Sequence, residues 1–348
     1  MRLAQKLDTL SYLTIFQSSI PKPGPLLPRH WIRRRDLMPV RNTRFRVLQN
    51  EQYLDKKKQL SITNFKSDYP AVFKKAFLDI PAIEKWFQKL SERPEVLTGE
   101  QHLKQHDQRK QHQQRKLDAL HKTFRYPQEL NTAYLEQYGN AIVPLELTRV
   151  STNGSARNQT FERFEAPLSL LLQHMSAAET QDTSLYLAQH SLADLPAPLQ
   201  EDLPTPSLFL PHLKARGDIY ASSLWMGRPP TRTPLHRDPN PNIFVQLAGK
   251  KTIRLMKPEV GRGVYEIVRQ KVHGAGGDAN MRGEEMMQGG EMEGLEDAVW
   301  NDDPEVKMAD ATGVETTLRS GDALYIPHGW WHAVRGIGRG ANASVSAV

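Results

Sequence analysis

Between Asn242 and Met256 the chain reads as strand, turn, strand. Asn242-Ile-Phe-Val-Gln-Leu247 runs into an Ala248-Gly249 turn, and Thr252-Ile-Arg-Leu-Met256 leaves it. Strand and turn signals dominate from Ala221-Ser-Ser-Leu-Trp-Met-Gly227 onward, and Ala323 to Ile326 reads as a buried strand after the Gly321-Asp322 turn. This pattern is that of an antiparallel barrel.

Chemistry clusters on these strands. Side chains alternate across a strand, so His236 and Asp238 share a face while Arg237 points away. His332 lies 96 residues beyond His236 (332 − 236) and joins them only if the fold brings its strand alongside. His328 has the same parity, but its place after Pro327 suggests a loop, so His332 is preferred. Two histidines and a carboxylate with open coordination positions are the donor set of a non-haem Fe(II) oxygenase. The competing reading is a surface turn at His236 and Asp238 and a core histidine at 332. Lys251 weighs against it: it opens a strand, and a buried lysine needs a carboxylate partner, which 2-oxoglutarate offers. A solvent-exposed turn residue like Lys250 is the other reading of Lys251.

At 348 residues the chain is long enough for one large domain or two smaller ones. It has no cysteine, which excludes disulfides, thiolate–metal sites and a cysteine nucleophile, and fits an intracellular protein of nucleus or cytoplasm. No apolar run approaches the ~20 residues of a membrane span. The net charge of +7 is uneven. Residues 1–50 carry Arg2, Lys6, Lys22, Arg29, Arg33, Arg34, Arg35, Arg41, Arg44 and Arg46 against Asp8 and Asp36, whereas residues 278–310 are strongly acidic. The basic start is open to four readings: a flexible tail, a nuclear-type patch around Arg33-Arg34-Arg35, a nucleic-acid contact, or a mitochondrial presequence.

Residues 1–43 are expected to form a flexible leader, broken by Pro21, Pro23, Pro25 and Pro28. Residues 44–138 are expected to be helical, from the spacing of Val72, Phe73, Ala76 and Phe77 and of Ile83, Trp86, Phe87 and Leu90, with a polar Gln/His-rich insertion at about 95–123. Within that insertion His102 and His106 share a helical spacing, but nothing near them supplies a third ligand. A short strand is expected at 141–147, a helix from Phe164 to Met175 and a strand from Ser184 to His190. The barrel is expected over 139–348, interrupted by a flexible acidic insertion at about 259–315.

Several blocks, in order, carry a family likeness: Tyr186-Leu-Ala-Gln-His190, Leu224-Trp-Met-Gly227, Thr233-Pro-Leu-His-Arg-Asp238, Asn242-Ile-Phe-Val-Gln-Leu247, Gly249-Lys-Lys251 and Trp331-His-Ala-Val-Arg335. With them the chain resembles the JmjC-domain oxygenases dependent on 2-oxoglutarate and Fe(II), a branch of the cupins, and within these the small protein (arginyl) hydroxylases. The resemblance implies a mainly β fold with flanking helices, a double-stranded β-helix (jelly-roll) barrel. It implies that His236, Asp238 and His332 bind iron and that Tyr186, Thr233, Asn242 and Lys251 hold 2-oxoglutarate. In the arginyl type the positions of Glu146 and Trp225 embrace the substrate guanidinium, a pairing that suits carboxylate and indole chemistry; core packing of Trp225 and an exposed Glu146 are the alternatives. The implied activity is hydroxylation of a protein side chain, arginine or lysine, with a protein or peptide partner. Alternatives are histone-lysine demethylation, hydroxylation of a tRNA base, or a silent cupin serving as a binding module. The family usually continues past its last strand with aromatic residues, whereas this sequence reads Ser344-Val-Ser-Ala-Val348, so a shortened final strand is expected.

Overall fold

The computed structural model of the chain describes residues 45–48, 51–53, 67–89, 127–153, 156–177, 182–204, 221–273, 289–301 and 311–347. The basic leader and the Gln/His-rich insertion lie outside them. In chain order, β1 (Phe45–Val47), β2 (Glu51–Tyr53) and β3 (Ala71–Lys74) precede α1 (Pro81–Lys85), β4 (Phe87–Lys89), β5 (Gln128–Leu130) and α2 (Thr132–Leu135). A long hairpin, β6 (Ile142–Asn153) and β7 (Ala156–Pro167), is followed by α3 (Leu168–Ser176), β8 (Thr183–Ser191), α4 (Ala197–Glu201) and β9 (Ser222–Gly227). Then come β10 (Thr231–Arg237), β11 (Asn242–Ala248), β12 (Lys250–Met256), α5 (Pro258–His273), α6 (Gly289–Trp300), β13 (Gly313–Arg319), β14 (Ala323–Ile326), β15 (Trp331–Ile337) and β16 (Asn342–Ala347).

The strands form a five-stranded sheet, ordered β1-β13-β12-β15-β10, and a nine-stranded sheet, ordered β2-β3-β14-β11-β16-β9-β8-β6-β7. From β10 to β16 the chain passes repeatedly between the two: β10 in the small sheet, β11 in the large, β12 and β13 in the small, β14 large, β15 small, β16 large. That winding is the double-stranded β-helix. The β11–β12 turn depends on Gly249, whose φ is +71° and where a Cβ would come within 2.5 Å of the Ala341 carbonyl oxygen.

Alternation divides each strand between two environments. Phe244, Ile253, Leu255, Leu318, Leu324, Ile326 and Val334 fill the space between the sheets. The other face of the large sheet, with Leu145, Leu187, Met226 and Val245, packs on Leu168, Leu171 and Leu172 of α3. The outer face of the small sheet, with Leu235, Met256, Trp331 and Ala333, packs on Val264, Val268, Leu295 and Val299 of α5 and α6. Fully burying each such side chain contributes about 1.5–3 kcal/mol. Among the described residues no helix is long and apolar enough to cross a membrane.

Five expectations need correction. The region 44–138, read as helical, holds strands β1 to β5 and only the short helices α1 and α2 among its described residues. Ala71, Val72 and Phe73 are each fully buried, and an apolar run with both faces covered carries no period that separates strand from helix. The segment expected as a short strand at 141–147 continues to Asn153, and Phe164 lies in β7, so the helix starts only after Pro167. The acidic insertion is not a flexible loop where it is described: α5 and α6 pack on the barrel, and β13 begins within its expected bounds. The final strand is not short either, since β16 pairs with β9 over six residues from Asn342 to Ala347.

Candidate active site

The site begins with an irregularity in β10. Thr233 pairs with Val334 and His236 with His332, so β10 spends three residues where β15 spends two. Pro234, which has no N–H to leave unpaired, sits in this bulge. The extra residue shifts the parity: Thr231, Thr233 and His236 all face the inter-sheet space, while the intervening Leu235 turns outward into the helix-covered core. Without the bulge, His236 would point out of the barrel.

His236, Asp238 and His332 then converge, with one ligand atom of each lying within 4.8 Å of the others. Asp238 Oδ1 is 3.9 Å from His236 Nε2 and Oδ2 is 3.6 Å from His332 Nε2; the two imidazole centroids are 4.1 Å apart. His236 Nδ1 lies 2.9 Å from the Pro234 carbonyl oxygen, which fixes Nδ1 as the protonated nitrogen and leaves the Nε2 lone pair facing Asp238. His328, the competing histidine, is exposed on the loop before Trp330.

The electrostatics suit a cation. Burial holds His332 down to about 4, helped by neighbouring His236 and opposed by Asp238, so its imidazole is neutral at ordinary pH. Burial pushes the Asp238 carboxyl up, but the two histidines and the Asn242 amide outweigh it and hold it below the usual carboxylate range. Asn242 Nδ2 donates to Asp238 Oδ2 at 2.8 Å, and its buried Oδ1 has no partner. Two imidazoles and an ionised carboxylate, one oxygen already oriented by Asn242, form a donor set suited to a divalent transition metal with positions left over.

Deeper between the sheets lies Lys251, on the interior face of β12. Four residues separate it from Leu255, the partner of His332 in the β12–β15 pairing, a backbone span of about 13 Å. Its Nζ donates to Ser344 Oγ at 2.6 Å and to Tyr186 Oη at 3.2 Å, and lies over the Phe244 ring at 5.2 Å. Among the described residues no carboxylate comes within ion-pair range of it. Burial alone lowers Lys251 to about 7. Tyr186 is raised by burial and by the charge of Glu146. The Tyr186 ring lies against Gly227, where any Cβ would come within 2.5 Å of Cδ2. A buried amine between two hydroxyls has the chemistry to accept a carboxylate.

The remaining expected residues sit on the same inner wall. Thr233 stands between Thr231 and His236. Glu146 on β6 pairs in register with Tyr186, and Trp225 on β9 lies with its ring 6.3 Å from that of Tyr186. Both are half-buried. Sequence reasoning missed two hydroxyls: Ser344, bonded to Lys251, and Thr231, which hydrogen-bonds Tyr186. Alternation within β16 was the available signal for Ser344, since Asn342, Ser344 and Ser346 share one parity. Ser346 accepts the Trp225 indole N–H at 3.1 Å.

Residues 63–347 match the family of cupin-like domains. Among similar proteins, Lysine-specific demethylase JMJ30 of Arabidopsis thaliana is 28% identical over 202 residues, covering 57% of this chain and 41% of the relative. Lysine-specific demethylase 8 of Danio rerio is 32% identical over 156 residues, 44% of this chain and 33% of the relative. Jumonji C domain-containing protein 5 of Drosophila melanogaster is 29% identical over 227 residues, 62% and 48%. The chain thus spans less than half the length of each of these relatives. With most of its length matched, and with two sheets wound as a double-stranded β-helix around a His–Asp–His cluster, this chain belongs to the cupin-like domain family and is similar to its JmjC members.

Proposed function

We propose that the chain is an oxygenase dependent on Fe(II) and 2-oxoglutarate, acting on a cationic side chain of a protein or peptide, arginine or lysine. The observation that carries this reading is Lys251: a buried lysine with two hydroxyl partners and, among the described residues, no acid beside it, in the same inter-sheet chamber as the His236–Asp238–His332 cluster. The distal carboxylate of 2-oxoglutarate would complete it, with Tyr186 and Ser344 as hydroxyl partners and Thr233 and Asn242 nearer the metal. Iron, held by His236, Asp238 and His332, would supply the oxygen activation.

The chain's own residues then have defined tasks. His236 and His332 present their ring nitrogens, and Asp238 supplies the one negative charge, oriented by Asn242. Phe244, Leu255, Ile326 and Val334 line the chamber floor with apolar surface, which would strengthen an ion pair between Lys251 and a bound carboxylate. At its wall Glu146 accepts hydrogen bonds from a cationic substrate and the Trp225 face attracts its charge.

A second reading is favoured by the relatives, two of which carry the name lysine-specific demethylase: a methylated lysine in place of arginine. One assay addresses both. The protein is loaded with Fe(II) and 2-oxoglutarate without oxygen, then exposed to O2 while succinate is measured. A correctly folded, loaded protein that releases no succinate refutes the oxygenase reading. With a peptide library, a gain of 16 Da on arginine or lysine identifies hydroxylation, and a loss of 14 Da from methylated peptides identifies demethylation.

A further inference from the structure

We infer that the helical pair α5–α6 is a clamp that sets the spacing of the two histidine ligands from outside the barrel, with Gly261 and Tyr265 as positioning residues acting through Trp331. The inference rests on the metal-site reading above and extends it to residues far from the chamber in sequence.

Each histidine ligand has an outward-facing neighbour planted in this helical layer. Leu235 precedes His236 and Trp331 precedes His332, and both are buried in one cluster with Val264, Val268, Leu295 and Val299. The contact with Trp331 is unusually close. A Cβ built on Gly261 would lie 2.2 to 2.4 Å from Trp331 Cγ, Cβ and Cδ1, so α5 rests directly on the root of the indole. One turn along, the Tyr265 ring packs on the same indole with centroids 5.2 Å apart. Cβ and Cγ cannot swing away as a side-chain tip can. Any displacement of α5 is therefore passed to the Trp331 backbone and, one residue on, to His332.

α6 is fastened to the same strands. Arg254 of β12 donates to the Val299 carbonyl oxygen at 2.6 Å, and Arg335 of β15 grips Glu296 Oε1 through Nε at 2.9 Å and Nη2 at 2.6 Å. The Trp300 ring takes both guanidinium groups, at 4.5 Å from Arg254 and 4.4 Å from Arg335. Charged and aromatic contacts thus hold the helices on the two strands beside and beneath His332. The bulge in β10 completes the arrangement, because turning Leu235 outward into the clamp is what turns His236 inward.

The test is Co(II) binding, a spectroscopic stand-in for Fe(II), measured by calorimetry and by Co(II) visible absorption on the full chain. Wild type is expected to bind. Gly261→Ala is expected to weaken Co(II) binding about tenfold, the scale of losses seen when groups supporting metal ligands are altered, and to change the Co(II) absorption. If Gly261→Ala fails to fold, Tyr265→Ala decides the matter: it removes the support without pushing on Trp331 and is expected to weaken binding, whereas Tyr265→Phe retains the ring and the affinity. Folded variants that melt earlier yet bind Co(II) with unchanged affinity and spectrum overturn the clamp, since a merely structural layer would do only that. Failure of wild type itself to bind overturns the metal-site reading instead.

Discussion

Lys251 Nζ lies 2.6 Å from Ser344 Oγ, a lysine of one sheet meeting a hydroxyl of the other across the barrel interior. The lysine meets no carboxylate among the described residues, and the proposed co-substrate would supply one.

Replacing Lys251 separates binding from stability. Lys251→Met is expected to raise the 2-oxoglutarate Kd roughly 10- to 100-fold, because interactions with a charged partner are each worth about 1.5–3 kcal/mol. In the absence of ligand the same variant is expected to melt at a higher temperature, since an unpaired buried cation is replaced by a side chain that welcomes burial. Co(II) binding should hardly change. A loss of metal affinity as large as the loss of 2-oxoglutarate affinity would place Lys251 elsewhere.

Protonation gives a second expectation. Lys251 is lowered by burial to about 7 in the folded chain, against about 10.4 in an unfolded one. Between those values the unfolded chain binds the extra proton, so this residue makes stability rise with pH across that window. Binding of a dicarboxylate favours the charged lysine, so at pH 8.5 it should draw in close to one proton. Calorimetry in two buffers of different ionisation enthalpy reads this directly; identical apparent enthalpies would contradict it.

The metal ligands should report themselves in thermal shifts. Divalent metal at a hundred times its Kd stabilises a folded site by about 2.7 kcal/mol, visible as a higher melting temperature. His332→Ala and Asp238→Ala are expected to fold and to lose that shift. His328→Ala, on the exposed loop, should keep it.

Gly227 offers a steric check on the Tyr186 position. Gly227→Ala places a methyl 2.5 Å from the present Cδ2 of Tyr186 and must displace the ring. The variant is expected to raise the KM for 2-oxoglutarate more than it lowers kcat. An unchanged KM would mean that Tyr186 does not contact the co-substrate.

Glu146 and Trp225 bear on substrate choice. Glu146→Gln and Trp225→Leu are each expected to raise the KM for a cationic peptide about tenfold, the effect of losing on the order of 1.4 kcal/mol. If a neutral substrate proves as good as a cationic one in wild type, the assignment of both residues falls.

Much of the site was legible because alternation in a strand is a local property. The Asn242–Met256 strands, the His236-x-Asp238 pair and the buried stretch ending at Ile326 follow from residue type and spacing. The helical reading of 44–90 misled because Ala71, Val72 and Phe73 are covered on both faces, which erases the period. The acidic stretch misled for a different reason: α6 buries Glu291 and Met292 with Leu295 and Val299, and composition alone does not reveal a helix whose partners lie on strands distant in sequence.

The sequence by itself determined the donor types, the alternation that puts His236 and Asp238 on one face, and the exclusion of cysteine chemistry. The tertiary structure decided which histidine joins His236 and Asp238, which hydroxyls meet Lys251, and which way His236 points. The physical reason is the reach of each interaction. Strand periodicity is set by neighbouring residues, whereas the bulge at Pro234, the pairing of His236 with His332 and the seating of Trp331 under α5 exist only when distant segments pack.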